Sequence, residues 1–311
     1  MDGAAPVREL RERVAAHVVG REHELDLLLA AVAAGRDVLL EGPPGTSKST
    51  LLRALTSEWG IGLHFVEGNG DLTPSRLVGH HNPSRVLRED YSADNFVAGP
   101  LVSAMQDGGF LYLEEFNRTP EDTVNTLLTA MAERSIAIPR VGTIEARPSF
   151  RVIASMNPYD NVGTTRLSTS VYDRLCRIAI GYQDAAEERR ITARRTEIAS
   201  GRVIADAVAL TRSTRERDDI WQGSSVRGAI DLALLAEQLS RIRGVEMPED
   251  DSIQPPRGLP DAYTALVLDS MLVALSGRIH LDETVEVPPE AVLRELWEDH
   301  FLLKPAAAEP G

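Results

Sequence analysis

One segment constrains the fold of this 311-residue chain more than any other, and it reads Gly42-Pro43-Pro44-Gly45-Thr46-Ser47-Lys48-Ser49. An apolar run over 37–41 precedes it, and leucines at 51, 52 and 55 follow it at helical spacing. A glycine-rich turn between a strand and a helix is the setting of a phosphate-binding loop, whose amides and helix N-terminus hold phosphate oxygens. We therefore predict that Lys48 reaches the β- and γ-phosphates of a nucleotide and that the Ser49 hydroxyl binds Mg²⁺.

The loop departs from the strict pattern at one position. Glycine ordinarily precedes the lysine of such a loop, and this chain has Ser47 there. Serine is small, so its backbone can approach the phosphates if its dihedral angles are helical. The other interpretation is a Gly/Pro turn followed by a chance Lys-Ser pair, which the flanking strand and helix patterns disfavour.

A second motif ends the apolar run over 110–113, where two acids, Glu114 and Glu115, follow directly. A buried strand that delivers carboxylates to its carboxyl end is how a phosphate loop is usually completed. We expect Glu114 to hold Mg²⁺ through water and Glu115 to orient or deprotonate the attacking water. Taken alone, a strand that ends in two acids is more often a solvated strand end, so the loop earlier in the chain carries this interpretation.

The apolar runs predict an α/β domain with a parallel β-sheet flanked by helices, followed by a smaller all-α domain. Strands are predicted at 37–41, 63–66, 110–113, 151–155 and 177–180, with helical patterns between several of them. Strand patterns end near residue 183, and the helical patterns that follow lie at 187–200, 226–243 and 262–275. The predicted domains are a helical extension over 1–17, a core over 18–183, an all-α domain over 184–304 and a flexible tail over 305–311.

Composition narrows the function classes. The chain has 33 Lys and Arg against 47 Asp and Glu, a net charge of −14, which argues against a surface built throughout for nucleic acid. The single cysteine, Cys176, excludes an internal disulfide and a cysteine-based zinc site. The first residues show no signal-peptide core, and the apolar stretches are too short or too interrupted to cross a bilayer. We expect a soluble, cytoplasmic protein.

With both motifs placed, the chain resembles the MoxR family of AAA+ ATPases. The resemblance covers about residues 18 to 240, and its motifs occur in the family's order. Its segments are 18–22, 38–45 with a small residue before Lys48, 71–79, 99–101, 115–118, and Ala154-Ser155-Met156-Asn157-Pro158. The family usually has aspartate where this chain has Glu114, and the extra methylene places the magnesium geometry in question.

The resemblance implies roles for individual residues in Mg²⁺-dependent ATP hydrolysis. Asn157 matches sensor 1, Arg174 matches the arginine that reaches the ATP of a neighbouring subunit, and Arg227 matches sensor 2 in a lid domain. Arg177 is a weaker candidate for the role of Arg174. By themselves, Asn157 could simply begin an Asn-Pro turn and Arg174 could form a surface salt bridge. The expected nucleotide-binding residues are Val19, Gly20, Gly42, Pro43, Pro44, Gly45, Thr46, Ser47, Lys48, Ser49 and Thr50, and the expected metal-binding residues are Ser49 and Glu114.

The resemblance further implies a hexameric ring with a chaperone-like role in maturing partner proteins, among which a protein with a von Willebrand A domain is one candidate. In such rings, insertions like those at 77–96 and 135–149 face the central pore, although both could be ordinary surface excursions. Two alternatives stay open. Glu114 favours a nucleotide-gated binding module with little turnover, and the arginines between Arg189 and Arg217 favour a nucleic-acid motor, although acidic neighbours and the lack of interleaved aromatics oppose it.

Overall fold

The computed structural model describes residues 4–89, 93–160, 167–248 and 261–302, and the predicted tail over 305–311 lies outside them. The chain divides into two units, 1–181 and 182–311, which are described separately. The boundary between the units falls two residues before the predicted one.

The first unit contains β-strands that follow most of the predicted apolar runs closely. They are β1 (Val38–Glu41), β2 (Leu63–Glu67), β3 (Gly79–His81), β4 (Phe96–Ala98), β5 (Phe110–Glu114), β6 (Ser135–Ile138), β7 (Gly142–Glu145), β8 (Arg151–Met156) and β9 (Cys176–Ala179). Its helices are α1 (Ala4–His17), α2 (Glu22–Ala33), α3 (Lys48–Trp59), α4 (Pro74–Val78), α5 (Pro83–Glu89), α6 (Pro100–Asp107), α7 (Glu121–Glu133) and α8 (Thr169–Arg174). Short 3₁₀ helices lie at Ala93–Asn95 and Phe116–Arg118.

Five strands form one parallel sheet in the order β2-β5-β8-β1-β9, which confirms the predicted α/β core. Because the strands are parallel, all of their carboxyl ends meet at one edge of the sheet. We call this the carboxyl edge and the opposite one the amino edge. Strand β8 lies between the strand that leads into the glycine-rich loop and the strand that ends in two acids, so the segment after β8 emerges between them.

The two faces of the sheet are buried in separate hydrophobic clusters because successive side chains on a strand point to opposite faces. On β1, Leu39 belongs to one cluster, while Val38 and Leu40 belong to the other. The second cluster also receives apolar residues of α1, α2 and α3, whose contributors include Val14, Leu28, Leu51, Leu52 and Leu55. Helix α3 is thus anchored on the sheet directly after the loop, as the leucine spacing predicted.

Both insertions form small antiparallel pairs. Strands β3 and β4 pair within the segment 77–96 and its flank, and β6 pairs with β7 in the hairpin predicted within 135–149. Gly142, at φ +107°, follows the turn of that hairpin in a conformation that favours glycine.

The second unit is mainly helical, with α9 (Ala185–Thr196), α10 (Gly201–Ser213), α11 (Val226–Arg243), α12 (Ala262–Leu275) and α13 (Pro289–Phe301) around one hydrophobic cluster. The all-α prediction is wrong in one respect, because β10 (Ile220–Gln222) pairs antiparallel with β11 (His280–Leu281). Strands this short carry no recognisable alternation, and they pair across about 60 residues of intervening chain. Only the tertiary fold brings them together.

Candidate nucleotide-binding and catalytic site

The glycine-rich loop lies at the carboxyl edge, wedged between the ends of β8 and β9. The Gly42 amide donates to the Met156 carbonyl at 3.1 Å. A Cβ atom on Gly42 would lie 2.0 Å from the Ile180 carbonyl oxygen, which no side chain can accept. Glycine is therefore required at the first position of the loop.

Lys48 is held over the loop by the loop's own oxygen atoms. Its ammonium group donates to the carbonyls of Gly42 and Pro43, both at 2.8 Å, and to the Thr46 hydroxyl at 3.3 Å. The Thr46 hydroxyl in turn donates to the Pro43 carbonyl at 2.9 Å. These three acceptors are uncharged, so they orient the ammonium group without neutralising its charge. The remaining loop residues expected to contact nucleotide are Pro44, Gly45, Ser47, Ser49 and Thr50.

Ser47 adopts the left-handed conformation, with φ 65° and ψ 19°. The condition that its dihedral angles be helical is thus met only in the left-handed sense. Left-handed backbone costs an L-residue about 1–2 kcal/mol, and glycine escapes that cost. This conformation explains why the strict pattern has glycine here, and it shows that serine reaches the same loop geometry with some strain.

Ser49 and Glu114 meet across the gap between the loop and β5. The Ser49 hydroxyl donates to Oε1 of Glu114 at 2.5 Å. The Tyr112 hydroxyl lies beneath both, 3.1 Å from the Ser49 hydroxyl, 3.3 Å from the same carboxylate oxygen and 2.9 Å from the Ser155 hydroxyl. Burial raises the pKa of Tyr112 to about 12, so its hydroxyl stays protonated at neutral pH.

Tyr112 and Ser155 were missed by the sequence reasoning, although a signal existed. Each is a buried polar side chain within an otherwise apolar run that forms a central strand of the sheet. A buried polar group requires a partner, so two such positions on strands that lead into one site predict a network there.

The residues at this position fit a hard divalent cation. Ser49 and Glu114 offer adjacent hydroxyl and carboxylate oxygens, the ligand types that Mg²⁺ prefers, and that ion ordinarily completes its shell with water and substrate phosphates. The residues that the structure describes contain no cluster of three or more His, Cys, Asp and Glu side chains that could hold a metal. The donor set thus suits an ion that arrives with the nucleotide.

Glu115 follows β5 in a strained conformation, with φ 52° in the left-handed region. Its backbone leaves no room for a side chain at Gly68, whose Cβ would lie 2.3 Å from the Glu115 carbonyl oxygen. The Glu115 carboxylate lies 3.3 Å from Nε of Arg118, which also binds Asp160. Backbone strain of this kind concentrates at functional sites.

Asn157 follows β8, and β8 lies between the loop strand and the acid strand. Its side-chain oxygen accepts a hydrogen bond from the Tyr159 amide at 3.2 Å. This contact is typical of the Asn-Pro turn, which was the alternative to a sensor-1 role. The side-chain amide nitrogen makes no hydrogen bond within the described part of the chain. Turn formation and a donor role toward phosphate or water are therefore compatible, because they use opposite ends of the amide.

Arg174 lies at the amino edge, on the far side of the sheet from the loop. Strand β9 runs parallel to β1, with Cys176 opposite Val38 and Ala179 opposite Glu41, so Arg174 precedes the first pair and the loop follows the last. At about 3.3 Å per residue, the six positions from Arg174 to Ile180, which lies beside Gly42, place them roughly 20 Å apart along the strand direction. The exposed Arg174 side chain donates to the Ser170 carbonyl at 2.9 Å. Arg177 instead forms a two-pronged ion pair with Glu41 at 2.7 and 2.8 Å, which occupies its guanidinium group.

Val19 and Gly20 connect α1 to α2 beside the end of β9. Gly20 has φ 64°, and the next residue, Arg21, is buried and donates to the Gly181 carbonyl at 2.6 Å. The carbonyl oxygen of Ile180, one residue before Gly181, is the atom that leaves no room for a side chain at Gly42. The predicted nucleotide-binding segments at Val19-Gly20 and at the glycine-rich loop therefore both lie at the end of β9.

In the second unit, Arg227 lies in the first turn of α11 with an exposed side chain, and its backbone amide donates to the capping Ser225 hydroxyl. Three of the arginines proposed for nucleic-acid binding pair with acids of the same unit. Arg212 and Arg215 both bind the fully buried Glu188, and Arg217 binds Asp219 and Glu295. These pairs offset the charge of those three arginines and leave Arg189, Arg190, Arg194 and Arg195 as the remaining support for that alternative.

The fold and the site define a class of protein. A glycine-rich loop with a lysine and a serine, an acid pair on a buried strand and a polar residue emerging between them belong together in nucleoside triphosphatases with a phosphate-binding loop. Residues 37–175 match the family model described as AAA domain (dynein-related subfamily). The chain is an ATPase with an AAA domain, and it is similar to MoxR-like AAA+ ATPases.

Two relatives and one solved structure illustrate the similarity. The chain is 26% identical over 268 residues to the gas vesicle ATPase GvpN1 of Halobacterium salinarum, covering 78% of this chain and 76% of that protein. It is 30% identical over 176 residues to the chaperone MoxR1 of Mycobacterium tuberculosis, covering 56% of this chain and 44% of that protein. A point mutant of RuvB from Thermotoga maritima superposes with a TM-score of 0.51 at 19% identity, covering 82% of this chain and 70% of that one, which supports the fold alone.

Within the described residues, no helix has the length and apolar character needed to span a membrane.

Proposed function

We propose that this protein is a Mg²⁺-dependent ATPase that works as a ring, in which Arg174 of one subunit completes the catalytic site of the next, and that it remodels partner proteins. The observation that supports this most directly is the position of Arg174. It lies at the amino edge while the loop lies at the carboxyl edge, so within one subunit it cannot reach the nucleotide. A second subunit can present it there.

In the proposed mechanism the loop amides and Lys48 hold the triphosphate. The loop is pre-formed by its internal hydrogen bonds, so little reorganisation is needed when the phosphates bind. Ser49 and Glu114 would hold Mg²⁺, which when bound would supply positive charge to offset the charge of the phosphates.

Glu115 positions and deprotonates the attacking water. Arg118 restrains its carboxylate from one side, which fixes the direction in which that carboxylate points. The amide nitrogen of Asn157 donates to that water or to the γ-phosphate. Arg227 of the second unit supplies a further cation that responds to the nucleotide state, as sensor 2 does in the family.

The remodelling role rests on the relatives. One is called a chaperone, and another is called a gas vesicle ATPase, and those names describe those proteins. We propose a protein or protein assembly as the client of this chain, acting inside the cell, with a von Willebrand A-domain partner as the first candidate to examine. A hexamer is the expected ring.

The experiment is ATP turnover measured at increasing protein concentration, with and without Mg²⁺, beside sedimentation velocity of the same samples. Turnover per subunit should require Mg²⁺ and should rise with concentration as the ring assembles. Arg174→Gln should assemble but remain slow. Turnover per subunit that is independent of concentration, from a protein that sediments as a monomer, would contradict the ring.

A further inference from the structure

A second charged cavity opens at the amino edge, away from the nucleotide loop. It is a cleft of about 480 Å³, and we call it the arginine cleft. Its charged lining residues are Arg36, Asp37, Arg134, Arg151, Asp173 and Arg174. The topology explains why they meet, because the residues that precede β1, begin β8 and precede β9 all lie at this edge, and Arg134 ends α7 nearby.

The arginine cleft has more positively charged than negatively charged side chains. Four arginines face two aspartates, in a chain whose net charge is −14. Asp37 is already engaged, since its carboxylate accepts from the Val152 amide at 2.7 Å. Burial raises the pKa of Asp37, which disfavours its charged form and weakens it as a counter-ion for the arginines.

Arg151 shows the shortage of negative charge most clearly. Its Nη1 donates to the carbonyls of Pro148 and Phe150 at 2.7 and 2.5 Å, while its Nε is buried without a hydrogen-bond partner. Burial and then the neighbouring charge of Arg134 lower the pKa of Arg151, and attraction to Asp37 opposes them. A bound anion would relieve the repulsion between Arg151 and Arg134.

Arg134 is held in place before any ligand arrives. Its Nη2 donates to the carbonyls of Arg147 and Phe150 at 3.1 and 2.9 Å, and its guanidinium group lies 5.0 Å from the centre of the Phe150 ring. A side chain that is already ordered loses little entropy on binding, which favours a ligand site over a loose surface patch.

We infer that the arginine cleft binds the phosphate groups of a ligand. Planar guanidinium groups match phosphate oxygens in two-pronged hydrogen bonds, and a surplus of two positive charges suits a multivalent anion better than a single carboxylate. The volume is within the range of small-molecule sites, roughly 300–1,000 Å³, and exceeds the need of one phosphate ion. The phosphates could belong to a free small molecule or to the nucleotide held by a second copy of this chain.

The first arm of the test measures free ligand. Lys48→Ala protein, whose loop is disabled, is titrated with pyrophosphate by calorimetry, with succinate as a dicarboxylate comparison. Saturable pyrophosphate binding should weaken about tenfold or more in Arg36→Gln and in Arg151→Gln, because each removes a charge-assisted contact. Arg8→Gln is the matched control, since Arg8 is an exposed arginine on α1. Arg36 is exposed and makes no side-chain hydrogen bond or ion pair in the described structure, so its variant should fold even if Arg151→Gln does not.

The second arm detects nucleotide from a neighbour and rests on the proposed ring. Arg36→Gln protein is mixed with Glu115→Gln protein, and ATP turnover is measured at ring-forming concentration. If the cleft acts on the neighbour's phosphates, the mixture should exceed the summed turnover of the two variants alone. If pyrophosphate binds in the first arm and mixing gives no gain in turnover in the second, the ligand is a free phosphate compound. If pyrophosphate does not bind but mixing raises turnover, the phosphates are those of the neighbour's nucleotide. The inference would be overturned if pyrophosphate did not bind and the mixture showed no gain in turnover, or if succinate bound as tightly as pyrophosphate. Wild-type turnover that still rises with protein concentration would show in that case that the proposed ATPase ring holds although the cleft does not bind phosphate.

Discussion

The Ser49 hydroxyl donates to Oε1 of Glu114 at 2.5 Å, so the first acid after the apolar run of β5 contacts the glycine-rich loop directly. The family usually has aspartate at this position, and the longer glutamate side chain still reaches the serine expected to bind magnesium.

Glu114→Gln should therefore impair turnover much more than nucleotide binding. The amide keeps the shape and removes the charge that would face the cation, and we expect ATP hydrolysis to fall about 100-fold. Turnover and nucleotide affinity should be measured across a Mg²⁺ titration. Glu67→Gln is the matched control, because Glu67 ends the neighbouring strand directly opposite Glu114. Equal effects of the two substitutions would contradict the assignment.

Tyr112→Phe should affect both stability and catalysis. It removes the hydroxyl that contacts Ser49, Glu114 and Ser155 in a buried network, and a lost buried hydrogen bond costs about 1–3 kcal/mol. We expect a lower denaturation midpoint and a several-fold lower kcat with little change in KM for ATP. Tyr172→Phe, which removes an exposed hydroxyl, should change neither. Because the pKa of Tyr112 is about 12, ionisation of Tyr112 should leave kcat unchanged between pH 7 and 9.

Ser47→Gly should stabilise the protein. Glycine relieves the left-handed strain at this position, partly offset by its greater freedom in the unfolded chain, so the free energy of unfolding should rise by about 0.5–1 kcal/mol. Urea denaturation with and without nucleotide measures it. Ser47→Ala separates the hydroxyl from the backbone effect, since alanine keeps the strain. A glycine variant no more stable than the alanine variant would show that strain is not the controlling factor.

Arg174→Gln and Glu115→Gln should each be nearly inactive alone, and mixing them should restore turnover. In a mixed ring, one variant supplies an intact water-activating site and the other an intact arginine, so some interfaces are complete. Arg177→Gln should retain most activity, because Arg177 is bound to Glu41 on the neighbouring strand. A mixture no more active than its parts would place the two residues outside a shared site.

The sequence predicted for a local reason that the loop, the acid pair and Asn157 meet at one edge of the sheet, and the strand order brings them there. Each of them stands at the carboxyl end of an apolar run, and parallel strands bring such ends to one edge whatever the details of packing. The same logic does not give backbone angles. The left-handed conformations of Ser47 and Glu115 depend on how neighbouring strand ends close around the loop, which no local pattern encodes.

Length, the glycine-rich loop and the runs of apolar residues by themselves determined an α/β nucleotide-binding core followed by a mainly helical unit. The tertiary structure alone decided which polar side chains meet. It placed Tyr112 and Ser155 beneath Ser49, set Arg174 at the opposite edge from the loop and gathered the arginine cleft from separate parts of the chain. Local pattern fixes where a strand begins and ends, while contacts between distant residues depend on strand order and register, which form only when the whole sheet assembles.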